Sequence, residues 1–445
     1  MHETTCDVVV IGGGPAGSTA AAYLARRGRR VVLLERDHFP RFHIGESLLA
    51  SVNDVFEAIG VGDTIRAAGF PQKWGASFIT PDGKVERFAD FAEAREVPAP
   101  QTWQVPRERL DHLLLEHAAA SGVDVRQGHR VLAAAFDGAG ATVDARGPGG
   151  NGDGAATDRL RAQFVIDASG RAGVLSRTFD LRIDEPRLAN VAIFSHYAGV
   201  PRAEGRRSGD IRVVARPDNG WFWFIPISGE LTSVGVVLPQ SAFKGQPALE
   251  PADLLDRLIA DTPAAARLMA RAERQWPVRV EKDFSFGSKA YAGDRWVIVG
   301  DAGSFLDPVF SSGVAIALES GLEGAQAVDR ALAGGRASAA AFATFDRRQH
   351  LRYATFRKFV LGFYTKAFRD LFFSADPPKH MFRAVVTVLA GYWNPSLWTR
   401  AWLSLFFMTV RLQARFGFVE SYIAESGHGS CLTDERSVRS CADSR

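Results

Sequence analysis

The chain has 445 residues, 46% of them hydrophobic and 23% charged, which excludes disorder for its bulk and leaves mass for about two or three domains. Its 53 Lys and Arg against 50 Asp and Glu give a net charge of +3, too balanced for a nucleic-acid-binding protein. Cys6, Cys431 and Cys441 give neither a disulfide framework nor metal-ligand spacing, so no metal is expected and a reducing, cytoplasmic setting fits. The N-terminus shows no basic leader with an apolar run, so no signal peptide is expected. The apolar stretch Ala401–Val410 falls well short of the ~20 residues of a transmembrane helix.

Residues 7–11, Asp-Val-Val-Val-Ile, read as a buried parallel strand. A Gly-rich turn follows, then an Ala-rich helix to Arg27 that Gly28 ends, then a second buried strand over 31–35. This is a βαβ unit at the start of the chain. Residues 73–104 read as strands and turns, with Asp82-Gly83 marking one turn. A helix is predicted over 106–120, a hairpin within 124–146, a Gly-rich loop over 147–157 and a buried strand over 164–169. Residues 190–240 alternate like strands, 252–273 read as helix, 296–299 as strand and 313–332 as helix. An Ala/Gly-rich junction at 332–340 precedes an aromatic, helical stretch. Residues 341–423 hold 20 Phe, Trp and Tyr, with 12 Lys and Arg against 4 Asp and Glu, so nearly all the positive excess lies there. Residues 424–445 are small and polar and read as a flexible tail.

Gly12, Gly14 and Gly17, with Pro15 and Ala16 between them, lie where a strand meets a helix, and Glu35 ends the next strand. One glycine makes the tight turn, one admits a pyrophosphate to the backbone and one lets helix pack on strand. The helix N-terminus offers free N–H groups to phosphate, and Glu35 can accept from ribose hydroxyls. Arg36 and Arg41 are further cofactor-side candidates.

Three more segments carry a resemblance. Gly300-Asp301-Ala302, Asp167-Ala168-Ser169-Gly170 and Arg107-Glu108-Arg109-Leu110 resemble the flavoproteins related to para-hydroxybenzoate hydroxylase. The resemblance implies FAD, with Asp301 on its ribityl chain and Arg107 in contact with it. It also implies an α/β fold: a Rossmann-type FAD-binding domain from 1–72, 105–185 and 281–335, a β-sheet substrate-side domain from 73–104 and 186–280, and a helical C-terminal region over 336–423.

Within that group, three stretches resemble the flavin-dependent halogenases. They are Arg41-Phe42-His43-Ile44-Gly45-Glu46-Ser47-Leu48, Trp221-Phe222-Trp223-Phe224-Ile225-Pro226, and Phe305 to Gly313 as Phe-x-x-Pro-x-x-Ser-x-Gly. The implied chemistry uses reduced FAD, oxygen and chloride or bromide to make hypohalous acid, then halogenates an electron-rich aromatic or heteroaromatic ring. Reduced FAD would come from a separate flavin reductase, met transiently. A halide needs backbone N–H donors, and a Ser-Ser-Gly turn opening a helix supplies them, so Ser312 and Gly313 are the halide candidates, with Gly313 also at the flavin. Lys73 sits where the family places the lysine that steers hypohalous acid; burial would lower its pKa toward reactivity. Ser47 and Glu46 are expected at the flavin or its pocket, and His43 as a packed histidine. Trp221, Trp223, Phe305, Pro308 and Phe310 are expected on the substrate side. The two tryptophans share strand parity and face one way, either to keep substrate off the flavin or as core.

Tryptophan halogenases carry a Glu just before the Ser-x-Gly turn, where this chain has Phe310. That points toward the branch acting on phenols, pyrroles or acyl groups, some held on carrier proteins. The basic aromatic region reads mainly as a helical cap, and also as a lid or a docking face for an acidic carrier protein or an anionic membrane surface. A hydroxylase on the same scaffold, a prenyl-chain reductase and a non-catalytic flavoprotein that binds a carrier are the rival readings.

Overall fold

The computed structural model describes residues 4–147, 157–246, 249–374, 377–421 and 423. The Gly-rich stretch 148–156 and the tail 424–445, with Cys431 and Cys441, lie outside them.

The first eight-stranded sheet is built on the predicted βαβ unit. Strand Thr4–Ile11 lies between Thr157–Asp167 and Val31–Glu35, parallel to both, with Val10 opposite Ile166 and Leu33. Trp296–Ile298 extends it beyond Thr157–Asp167, and Asp124–Gln127 beyond Val31–Glu35. The central segments 8–11, 31–34 and 164–166 are apolar runs buried on both faces, as a parallel sheet under helices requires. Helices Pro15–Arg26, Arg107–Ala120 and Ser312–Ala333 pack together on one face. The close approach is possible because a Cβ on Gly321 would lie 2.4 Å from the Ala16 carbonyl oxygen.

The second eight-stranded sheet centres on the long strand Arg182–Ala198, beside Thr232–Pro239, Trp221–Pro226 and Ile211–Ala215. Gly75–Ile79 and Glu86–Asp90 complete one side. Arg279–Ser288 pairs with Arg182–Ala198, so the second sheet takes in residues 182–288, wider than the 186–280 expected. The pairing spans about a hundred residues of chain, which local pattern does not reveal. A two-residue ladder, Gln72–Lys73 against Thr102–Trp103, stands apart from both sheets.

The single helix expected over 252–273 is two, Pro251–Ala260 and Pro263–Met269. Pro263 has no N–H to continue the first helix and is pre-set to open the second. Among the described residues the C-terminal region is mainly helical: Ala343–Phe363, Lys366–Phe373, Lys379–Leu389 and Leu397–Phe416. Its aromatics mostly fill a core against the second sheet. Phe78 meets Phe372 edge-on at 4.9 Å, and Phe310 meets Phe363 at 5.6 Å, contacts each worth about 0.5–1.5 kcal/mol beyond area burial. Among the described residues, no helix is long and apolar enough to cross a membrane.

Candidate active site

The glycines of the first turn divide by role. A Cβ on Gly12 would lie 2.4 Å from the Ala168 carbonyl oxygen, and one on Gly17 only 1.9 Å from the Gly12 carbonyl oxygen. Both sit where backbone meets backbone. A Cβ on Gly14 would meet only the Arg41 guanidinium, at 3.6 Å, so Gly14 faces open space beside a cation. The carboxylate of Glu35 is 5% exposed and already engaged: one oxygen accepts from the Gly13 N–H at 2.6 Å, the other from the Asp37 N–H at 2.8 Å. Each oxygen keeps a lone pair for a ribose hydroxyl. Arg36 is exposed and pairs with Asp37 at 3.4 Å, at the rim of the cradle.

Arg107 and Arg41 share one buried anion. Arg107 grips Asp111 with two hydrogen bonds, at 2.8 and 3.0 Å, and donates to the Ile44 carbonyl at 2.9 Å. Arg41 reaches the same carboxylate at 3.3 Å. Burial pushes Asp301 up to about 6, against the opposing pull of Arg107 and Arg171. Asp301 and Arg107 thus share one field. Asp167 is fully buried and spends both oxygens on the N–H groups of Ser169 and Leu175, fixing the turn after its strand. Burial lowers His43 to about 4, with Arg107 adding to the effect, so it is a neutral, packed ring near neutral pH.

Lys73 is 1% exposed. Its ammonium donates to Ser47 Oγ at 2.8 Å and to the Leu48 carbonyl at 2.7 Å, and lies 5.3 Å from the centre of the Phe91 ring. Burial lowers its pKa to about 7; Asp210 pulls the other way. The Asp210 carboxylate accepts from the Trp74 and Gly75 N–H groups at 2.6 and 3.0 Å. A narrow cavity of about 10 Å³ opens beside Lys73, walled by Phe91, Phe310, Ser311 and Leu389, room for about one water-sized group.

Helix Ser312–Ala333 begins at that wall. Ser311 holds φ at 57°, and its side chain does not cap the helix, so the first-turn N–H groups have no side-chain cap. Ser312 is fully buried and its hydroxyl has no partner. No atom would crowd a Cβ on Gly313 within 4 Å. A buried orphan hydroxyl beside open space at a helix N-terminus suits an anion or a flavin edge.

The expected site residues therefore fall into three places. Lys73 and Phe310 meet at the cavity, with Ser47 behind Lys73 as its hydrogen-bond partner. Trp221 and Trp223 do face the same way, with ring centres 6.0 Å apart, but they lie in the core and not on the cavity wall. Their N–H groups donate to Tyr364 and Ser233. Phe305 bridges to Phe286, and Pro308 opens the short turn Pro308–Phe310; neither lines the cavity.

Sequence reasoning passed over Asp210, Asp307 and His196. His196 pairs with Glu46 at 3.0 Å, both buried, and each keeps one unpartnered atom. That pair lines a second cavity of about 80 Å³ with Phe42, His43, Arg107 and Trp276. The only signal was the resemblance around Glu46, since His196 lies 150 positions away.

A phosphate cradle with an acid at the second strand and a buried arginine–carboxylate cluster beside it are the site of a dinucleotide-binding enzyme. A family model described as an FAD binding domain matches residues 5–356. A tryptophan 2-halogenase of Chondromyces crocatus is 33% identical over 366 residues, covering 80% of this chain and 67% of that one. A 1H-pyrrole-2-carbonyl-[peptidyl-carrier protein] chlorinase of Pseudomonas fluorescens is 35% identical over 342 residues, 72% of this chain and 75% of that one. A solved structure of the flavin-dependent brominase Bmp2, a triple mutant, superposes with a TM-score of 0.79 at 29% identity, covering 91% of this chain and all of that one. The chain belongs to the flavin-dependent halogenases. It is an enzyme that uses FAD and halide.

Proposed function

We propose that the chain halogenates an electron-rich aromatic or heteroaromatic ring, with a carrier-bound pyrrole-type acyl group as the first candidate, and that Lys73 directs the halogen. The burial of Lys73 carries this reading: an amine 1% exposed, with a pKa lowered to about 7, beside a cavity. Reduced FAD, when bound, supplies with oxygen the two-electron oxidation of halide to hypohalous acid. Gly12, Gly14, Gly17, Glu35, Arg41, Arg107 and Asp301 hold the cofactor. Ser312 and Gly313 hold the halide through helix N-terminal N–H groups and the orphan hydroxyl.

Near pH 7 both forms of Lys73 are populated. The ammonium donates a hydrogen bond to the oxygen of hypohalous acid and polarises the O–X bond. The neutral amine attacks the halogen: an N–X bond forms, the O–X bond breaks, and an amine proton leaves with the hydroxide as water. Ser47 and the Leu48 carbonyl aim the nitrogen in both cases.

Reduced FAD comes from a separate reductase, since the sequence carries no second dinucleotide motif. A carrier-bound substrate is supported by the similarity to the pyrrole-carrier chlorinase and by Phe310 in place of the tryptophan-branch Glu. It is supported too by charge: residues 377–419 contain no Asp or Glu but five Lys and Arg, a field that attracts an acidic partner. Similarity to a tryptophan 2-halogenase favours a second reading, free tryptophan.

The test is to load the protein with FAD, reduce it without oxygen, mix it with oxygen, and follow the flavin spectrum with and without chloride or bromide. Halide should speed reoxidation in wild type and in Lys73→Ala alike. Halogenated product from pyrrolyl-carrier or from tryptophan should appear only with wild type. A spectrum indifferent to halide would overturn the halide site, and full product from Lys73→Ala would overturn the role of Lys73.

A further inference from the structure

Asp307 stands inside the turn motif but outside every role assigned above. It is fully buried. One oxygen accepts from Asn190 Nδ2 at 2.6 Å and from the Tyr364 hydroxyl at 2.8 Å. The other accepts from the Val309 N–H at 3.1 Å, capping the short turn Pro308–Phe310. Its own N–H donates to Ser285 Oγ at 2.9 Å. Tyr364 spends its proton on Asp307 and accepts from Trp221 Nε1 at 2.9 Å and Asn190 Nδ2 at 3.1 Å. Each contact to the carboxylate is a donor, so the network is satisfied with Asp307 ionised. Burial opposes that charge and pushes Asp307 up to about 6, which makes each donor matter.

The four residues come from four places. Asn190 is on the long strand of the second sheet, Trp221 on the Trp-x-Trp strand, Asp307 on the turn, and Tyr364 just beyond the first C-terminal helix. We propose that Trp221, Tyr364, Asn190 and Asp307 form a positioning network that fixes the Pro308–Gly313 turn, so that Trp221 acts through its N–H as well as its bulk. The C-terminal helices are thereby tied, through Tyr364, to the turn that presents Ser312. Its effect on halide rests on the reading of Ser312 and Gly313 as the halide site.

Tyr364→Phe keeps the ring and removes one donor and two acceptors' worth of pairing; Trp221→Phe removes one donor at the far end. In flavin-free protein, amide exchange of a peptide over 305–314 should quicken about tenfold in Tyr364→Phe, while peptides in the Thr232–Pro239 strand stay as in wild type. Adding Trp221→Phe should quicken it little further, because links of one chain are not independent. In the FAD-loaded enzyme, KM for bromide should rise about tenfold with kcat less affected. Unchanged exchange over 305–314, or two effects that simply multiply, would overturn the network. Faster exchange with an unchanged bromide KM upholds the network and removes the halide from Ser312 and Gly313 instead.

Discussion

Replacing Lys73 with Met tests the central claim through stability as well as activity. Methionine has similar length and no charge. In water a lysine titrates at 10.5; here burial brings it to about 7. The difference of about 3.5 pH units, at about 1.4 kcal/mol each, means that keeping Lys73 protonated in place costs about 5 kcal/mol. The sign follows from proton binding. Below pH 7 folded and unfolded states both hold the proton, and wild type bears the whole cost. From pH 7 to 10.5 the unfolded lysine stays charged while the folded one is neutral, so wild-type stability rises relative to Lys73→Met. Between pH 7 and 9 the gap should move by about 2 kcal/mol in favour of wild type, because at pH 7 the folded lysine is still half protonated. The hydrogen bonds lost at Ser47 and Leu48 shift the offset between the two proteins, not this slope. Urea unfolding of both proteins at pH 6, 7, 8 and 9 reads it directly. Parallel stability curves would refute a buried, depressed lysine, and with it the physical basis for its halogen chemistry.

Gly17→Ala places a Cβ 1.9 Å from the Gly12 carbonyl oxygen; it should lower stability by about 1–3 kcal/mol and FAD affinity at least about tenfold, read by thermal melting and fluorescence titration. Arg107→Met leaves the fully buried Asp111 with Arg41, at 3.3 Å, as its one remaining charged partner among the described residues, and calorimetry should find a loss of about 3–5 kcal/mol. Ser312→Ala removes a hydroxyl that has no protein partner; its melting point should stay within the equivalent of about 0.5 kcal/mol while KM for chloride rises. The triple change of Arg347, Lys358 and Arg411 to Glu should weaken binding of an acidic carrier at least about tenfold, most at low salt. Carrier affinity that ignores the change would move the docking face elsewhere.

The parts legible in the sequence are those where one short segment does one job. Gly12 to Gly17 and Glu35 form a local unit whose spacing is its geometry. Motif context singles out Lys73, and the structure buries it with its ammonium on Ser47 Oγ and the Leu48 carbonyl. What stayed hidden depends on residues far apart in the chain. Glu46 meets His196 across 150 positions, and Asp307 meets Tyr364 across 57. No periodicity encodes such partners. The Trp-x-Trp alternation showed the shared face, but not that Tyr364 and Ser233 wait on that face to accept from the indoles. The wider span of the second sheet was hidden for the same reason: Arg279–Ser288 finds its partner strand about a hundred residues back.

The Gly13 N–H is held by Glu35, a bond made within the protein itself. The cradle is thus set by folding itself, and the entropy of ordering it is not charged to the binding event. A cofactor entering such a site meets a finished mould, so association should follow a single exponential limited by encounter, with no slow phase of loop closure. On the proposal that the flavin is reduced on another protein, a mould fixed by the protein's own hydrogen bonds keeps cofactor exchange off the critical path.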